Sequence, residues 1–249
     1  MQPGRYTVAL DVSGGEAMRI SSPHGGCPGP CDPTIDVAPL GSNEWTTAFV
    51  PTPTYQDGAE LVRQGADVYS LFPGNPAGGG GNPQHADLYI SQDGGTVWEH
   101  EDDPCGYTGT MPDDAVSMAA APQGVLVVLC TLRPVGANFL IVSATAGMAF
   151  GPRQALPVGS GFQLAAASSS SLVVGNADGT ALDSVTYLLL HSGDGGQHWQ
   201  TVVDEKGPST GLPLSFLGFE NPSDGRWIGP ASTLWTTTDS GAVWTPSRF

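Results

Sequence analysis

Five aromatic residues recur along the 249-residue chain at nearly even intervals: Trp45, Trp98, Phe150, Trp199 and Trp244, separated by 53, 52, 49 and 45 residues. A period near fifty that fills a chain constrains the fold more than any local propensity. Each unit must then be one supersecondary piece that buries its apolar surface on its neighbours, as in an array or a propeller. Three of the aromatics close the same short motif. Ser91-Gln92-Asp93-Gly94-Gly95-Thr96-Val97-Trp98 reads S-x-D-x-G-x-x-W, and Ser192 to Trp199 and Thr237 to Trp244 repeat it. Ser143 to Phe150 is a fourth copy with Thr145 in place of Asp, and around Trp45 only the aromatic survives.

The residue types explain the motif. A Ser or Thr hydroxyl and an Asp carboxylate can accept bonds from the backbone of a tight turn. The Gly supplies positive φ, and the aromatic folds under the hairpin it ends. The motif resembles the Asp-box, or BNR repeat, of β-propeller proteins, a family that includes sialidases, xyloglucanases, sortilin-type receptors and photosystem II assembly factors. The resemblance implies an all-β propeller, here of five four-stranded blades. It also implies structural roles for Ser91, Asp93, Gly95, Trp98, Ser192, Asp194, Gly196, Trp199, Thr237, Asp239, Gly241 and Trp244. In the family the boxes lie away from the ligand site.

The repeat divides one domain, residues 1–249, into units of about 1–50, 51–103, 104–157, 158–207 and 208–249. Each unit reads as strands A to D with the box joining C to D. In the last unit A is 214–219, B 225–229, C 233–237 and D 243–246, and the other units follow the same order. The chain begins on an A strand and ends on a D strand, so ring closure is expected to rest on blade 1 packing face to face against blade 5. The other possibility is a larger propeller of six or seven blades.

Composition narrows the function classes. Gly 35 and Pro 22 are nearly a quarter of the chain, which suits many turns between short strands. No run of 18 apolar residues is present, so no transmembrane segment is expected. The formal charge of −16, with Lys206 the only lysine, repels phosphate backbones and anionic lipid, so nucleic acid is not an expected partner. Met1-Gln2-Pro3-Gly4-Arg5 is not a signal peptide. Low Lys with high Gly, Ala and Pro resembles exported proteins of high-GC bacteria. A secreted or extracytoplasmic protein whose leader is absent from this sequence is the expectation.

Four cysteines in a Gly- and Pro-rich β protein point to disulfides and an oxidising compartment. Three pairings are open to four cysteines, and local closure favours Cys27–Cys31 and Cys105–Cys130. A zinc site at His24, Cys27 and Cys31 lacks a fourth ligand at recognisable spacing.

In a propeller the A–B and C–D turns share one face, and the B–C and D–A loops share the other, around the channel mouth. The long loops 22–33, 73–85 and 101–114 all fall on the second face, and loops longer than a fold needs tend to carry function. Candidate ligand-binding residues there are Tyr55, Arg63, His85 and Tyr107. Candidate catalytic carboxylates are Asp57, Asp113 and Asp114, whose separation would select a retaining or inverting outcome. No cofactor or metal is expected. The nearest approach to a Ca²⁺ site is Glu101-Asp102-Asp103, which also reads as an ordinary solvated acidic loop.

The resemblance covers the framework, not an active site. Sialidases need an arginine triad, a Tyr–Glu nucleophile pair and an acid Asp. Here only Arg19-Ile20 matches their early Arg-Ile-Pro, with Ser21 in place of Pro. No G-x-S-x-G motif occurs. The leading expectation is a monomeric binding module for a glycan, polymer or protein on the B–C/D–A face. A small glycoside hydrolase and an extracytoplasmic assembly factor are the alternatives.

Overall fold

The computed structural model describes residues 6–23, 32–53, 58–73, 86–101, 103–108, 111–112, 114–132, 137–157, 162–181, 184–207, 216–229 and 233–248. They form five four-stranded antiparallel sheets and one small hairpin. Blade 1 is β1 (Tyr6–Ser13), β2 (Glu16–Ser22), β3 (Thr34–Pro39) and β4 (Thr46–Phe49). Blade 2 is β5 (Glu60–Gln64), β6 (Asp67–Phe72), β7 (Asp87–Ser91) and β8 (Glu99–Glu101). A hairpin of β9 (Tyr107–Thr108) and β10 (Met111–Pro112) follows. Blade 3 is β11 (Asp114–Ala121), β12 (Val125–Leu132), β13 (Ala137–Ser143) and β14 (Gln154–Ala155). Blade 4 is β15 (Phe162–Ala166), β16 (Leu172–Ala181), β17 (Ser184–Ser192) and β18 (Gln200–Gly207). Blade 5 is β19 (Phe216–Phe219), β20 (Gly225–Ile228), β21 (Thr233–Thr237) and β22 (Thr245–Arg248). Strand order in every blade is sequential, so each is a meander with no crossover. Among the described residues no helix is long and apolar enough to cross a membrane.

The motif builds the C–D hairpins as its chemistry requires. In blade 2 the Gly95 N–H donates to Ser91 Oγ at 2.9 Å and the Val97 N–H to Asp93 Oδ1 at 2.9 Å. The Trp98 indole N–H donates to the Gly95 carbonyl at 2.8 Å. Blade 4 repeats these bonds at 2.8, 2.9 and 3.0 Å, and blade 5 at 3.1, 2.9 and 2.9 Å. In blade 3 the Gly147 N–H still reaches Ser143 Oγ at 2.9 Å, but Thr145 offers no carboxylate to the turn. Gly241 sits at φ +94°, and a Cβ there would come within 2.6 Å of Val173 Cγ2, so only glycine closes the turn against blade 4.

The sequence led to the expectation that the box tryptophans are largely buried. Trp244 is buried, at 6% exposure. Trp98 and Trp199 are only partly buried. All three pack beyond their own hairpin. Trp98 lies on the core between blades 1 and 2, Trp199 on that between blades 3 and 4, and Trp244 on that between blades 4 and 5. Phe150 packs likewise on the core of blades 2 and 3. Each box aromatic therefore seals its blade to the preceding one.

Those four cores hold the molecule together, and they come from strict alternation. Along β2, for example, Met18 and Ile20 enter the core shared with blade 2, while Arg19 points to the other face. Among the described residues no fifth core joins blade 5 to blade 1. Successive A strands lie side by side from β1 through β5, β11 and β15 to β19, but β1 and β19 do not pack together in this way. The expected packing of blade 1 against blade 5 is thus not what the described residues do. In consequence, Tyr6, Val8, Leu10 and Val12 of β1 are left exposed.

Candidate functional site

The five A strands wall a central cavity of about 470 Å³. Much of the wall is alanine (Ala9, Ala59, Ala119, Ala120, Ala165 and Ala166), which the close approach of five strands demands. Three carboxylates interrupt it: Asp11 and Glu60 bind neighbouring backbone, and Glu220 pairs with Arg226. Asp11 on β1 accepts the Arg63 N–H of β5 at 3.3 Å. Glu60 on β5 accepts the Met118 N–H of β11 at 2.7 Å and the Ser117 hydroxyl at 3.3 Å. Glu60 meets β11 just beyond its bulge, where the register shifts between Ala115 and Ser117. Burial pushes the Glu60 carboxyl up to about 7, against the pull of its bonds from Met118 and Ser117. Burial also raises Asp11, opposed by the Arg63 amide and the Arg63 charge.

Arg63 itself stands on the other face from the one expected. It is the penultimate residue of β5, at the A–B turn, so strand direction places it beside the box turn of blade 2, close to Gly94. Its Nη1 reaches the Ser13 carbonyl at 3.4 Å and Glu16 Oε2 at 3.1 Å, and its Nε the Gly65 carbonyl at 3.3 Å. It clamps blade 1 to blade 2. Tyr55, Asp57, His85, Asp102 and Asp113 lie outside the described residues, as do His24, Cys27 and Cys31. Tyr107 falls in β9 and Asp114 opens β11, both described by backbone alone. Asp103 accepts the Cys105 N–H at 2.9 Å and so shapes a turn.

The connection from blade 2 to blade 3 is more built than a long loop. It carries the β9–β10 hairpin, which sequence reasoning missed because two-residue strands have no period to read. The Cys105–Cys130 disulfide, with a Cα–Cα distance of 5.8 Å, ties it to the B strand of blade 3. Arg153 adds a second tether: its Nη2 donates to the Cys105 carbonyl at 2.9 Å, and its guanidinium lies 4.3 Å from the Phe139 ring centroid. Because β8 leaves the box end and β11 begins at the loop end, this stapled hairpin belongs to the B–C/D–A face.

One constellation looks nucleophilic and is not. Ser171 Oγ lies 3.1 Å from His191 Nε2, with Asp239 acting on the imidazole through its charge. The Ser171 hydroxyl, however, donates to the Ser240 carbonyl at 2.6 Å. It must then accept from Nε2–H, which leaves His191 a donor to the serine rather than its base. The pair ties blade 4 to the box of blade 5. The box carboxylates are equally committed: turn amides hold Asp93 and Asp239 below the usual range, and the His198 amide and ring bring Asp194 to about 2.

The described arginine side chains show no triad. Arg19 pairs with Asp36 at 3.2 Å, Arg63 with Glu16, Arg226 with Glu220, and Arg153 holds the Cys105 carbonyl. No protein-family model matches the sequence, and no curated protein matches it. Solved structures do resemble the fold. A Hadza microbial sialidase, Hz136, superposes over 97% of this chain and 57% of its own, with TM-score 0.63 and 11% identity. The sialidase of Trypanosoma rangeli covers 93% of this chain and 46% of its own, with TM-score 0.63 and 12% identity. YCF48 bound to a D1 peptide covers 94% and 79%, with TM-score 0.52 and 16% identity. The chain thus spans about half the length of these sialidases, and at such identities the likeness concerns the fold. Hairpins bonded in this way, set in five four-stranded blades, make the chain a five-bladed β-propeller whose C–D hairpins resemble Asp-boxes.

Proposed function

We propose that this propeller is an exported, non-catalytic binding module, and that its ligand, a glycan, polymer or protein, is held on the B–C/D–A face. The carrying observation is the stapled hairpin after β8. A connection fastened by Cys105–Cys130 and by Arg153 exceeds what joining two blades requires. Tyr107 lies in β9 of this fastened connection, and a fixed base suits recognition by lowering the ordering cost of binding. We assign the remaining candidates, Tyr55, His85, Asp57, Asp113 and Asp114, to the same face from their positions in the sequence. Binding is favoured over hydrolysis because, of the described cavity carboxylates, Asp11 and Glu60 are engaged in holding strands together and Glu220 is paired with Arg226. An overall charge of −16 favours neutral or cationic ligands over sialic acid or phosphate. The disulfide fits an extracytoplasmic setting.

A glycan array run beside a broad glycosidase screen tests this reading. Binding without turnover, weakened by Tyr107→Ala or Asp113→Ala at an unchanged melting temperature, is the expected result. Turnover lost on substituting Asp57, Asp113 or Asp114 would replace it with the hydrolase reading.

A further inference from the structure

The central cavity of about 470 Å³ holds polar capacity that the seams between blades do not use. Its described lining runs from Ala59, just before β5, out to Pro122 and Asn221 on the A–B turns of blades 3 and 5, so it reaches the face of the box turns. Asp11 and Glu60 are each tied to the neighbouring strand through one oxygen. Asp11 Oδ2 accepts the Arg63 N–H, and Glu60 Oε2 accepts both the Met118 N–H and the Ser117 hydroxyl. Asp11 Oδ1 and Glu60 Oε1 take no hydrogen bond from any described residue. A carboxylate can accept about four hydrogen bonds, so each keeps unused capacity on a side chain whose position its strand contact already fixes.

The charges of the wall are unbalanced. Arg63, the one cation of the described lining, bonds outward through Nε and Nη1 to the Gly65 and Ser13 carbonyls and to Glu16, and acts on Asp11 only through its charge. Glu220 has its own partner in Arg226, which leaves Asp11 and Glu60. Burial raises both of their carboxyls, the mark of anions short of a counter-charge. Their separation does not suit a single ion. Glu60 stands on β5 and Asp11 meets the same strand three residues later, at Arg63, so the two lie about 10 Å apart along the strand. In keeping with that spread, the described residues contain no group of three His, Cys, Asp or Glu that could hold a metal ion. The rest of the wall is largely alanine, whose methyl groups suit methylenes.

We propose that the central cavity binds a short aliphatic diamine, with one ammonium at Asp11, the other at Glu60, and the methylene chain against the alanine wall. Two anions held apart by an apolar surface match two cations held apart by an apolar chain. Each ammonium brings three donors and a charge to an oxygen that has neither partner nor counter-ion, and bonds of that kind are the stronger ones. The overall charge of −16 draws such a dication to the protein. The site lies among the A strands, apart from the stapled hairpin, and stands independently of the binding role proposed for the loop face.

Calorimetric titration of the full chain with cadaverine, at fixed salt, tests this. The comparison probes are n-pentylamine, which carries one ammonium as a lysine side chain does, and magnesium ion. Glu60→Gln and Asp11→Asn remove each charge while keeping an acceptor for the Met118 and Arg63 amides. Asp204→Asn removes an exposed carboxylate of β18 that does not line the cavity. Cadaverine should bind at least about tenfold more tightly than either comparison probe, and each cavity variant should weaken it by at least about tenfold. Asp204→Asn should leave its affinity unchanged. A folded Glu60→Gln protein with wild-type affinity for cadaverine would overturn the proposal. So would the absence of any heat from cadaverine, or equal affinity for all three probes, which would assign the attraction to the acidic chain as a whole. The comparison of probes on the wild type decides the matter even if a variant fails to fold.

Discussion

Glu60→Gln isolates the most heavily perturbed carboxylate of the cavity wall. In the folded protein the Glu60 carboxyl titrates at about 7 instead of 4.5, because burial between β5 and β11 disfavours the anion. The folded state therefore holds a proton that the unfolded chain has lost across that window. Stability from this group is complete below pH 4.5 and is lost as pH rises through about 7. The gap of about 2.5 units at 1.36 kcal/mol each is worth roughly 3 kcal/mol, or on the order of 10 °C in melting temperature for a domain of this size. Glutamine keeps an acceptor for the Met118 N–H at 2.7 Å and cannot ionise. Melting curves of both proteins from pH 4.5 to 8 should then diverge, with the variant gaining on the wild type by that amount by pH 8. Comparing the two proteins removes the contributions of Asp11 and His191, which titrate alongside. A difference that stays flat across the window would show that Glu60 is not buried as a protonated seam residue.

Other outcomes follow from the same geometry. Trp244→Ala should cost about 3–5 kcal/mol, as for other large buried aromatics, and Trp199→Ala less, because its ring is only partly buried; urea unfolding measures both. Cys105→Ser opens a 25-residue loop and should cost roughly 3 kcal/mol in the chain-entropy account, read from melts with and without reductant. Burial lowers the His191 pKa below 6.5, so its contribution is present above that pH and fades as pH falls below it. Replacing His191 with Gln should flatten that part of the pH–stability curve. Gly241→Ala should destabilise blade 5, since φ +94° and Val173 Cγ2 both oppose a Cβ; a melt as high as wild type would contradict the turn geometry.

Much of the framework was legible because it is repetitive. The spacing of Trp45, Trp98, Phe150, Trp199 and Trp244 set the number of blades, and the strand reading of the fifth unit differs from β19–β22 by a few end residues. Cys105–Cys130 followed from local closure. What failed depended on relations between units. Arg63 reads as a surface cation until the A–B turn fixes its end of the strand, where Ser13, Glu16 and Gly65 claim it. Glu60 was missed because nothing in its local sequence shows that a bulged neighbouring strand will offer it the Met118 amide. The open face of β1 escaped for a related reason: Tyr6, Val8, Leu10 and Val12 alternate as a core strand does, and alternation says which residues share a face but not whether anything covers it.

The division of labour between the two faces is the central claim, and a binding titration against the strongest glycan-array ligand tests it directly. Wild type, Tyr107→Ala and Asp239→Asn would be compared in the same buffer at fixed salt. The account predicts that Tyr107→Ala weakens binding at least tenfold, about 1.4 kcal/mol, while Asp239→Asn lowers the melting temperature and leaves affinity intact. Affinity lost at Asp239 and retained at Tyr107 would place the ligand on the box turns and contradict it.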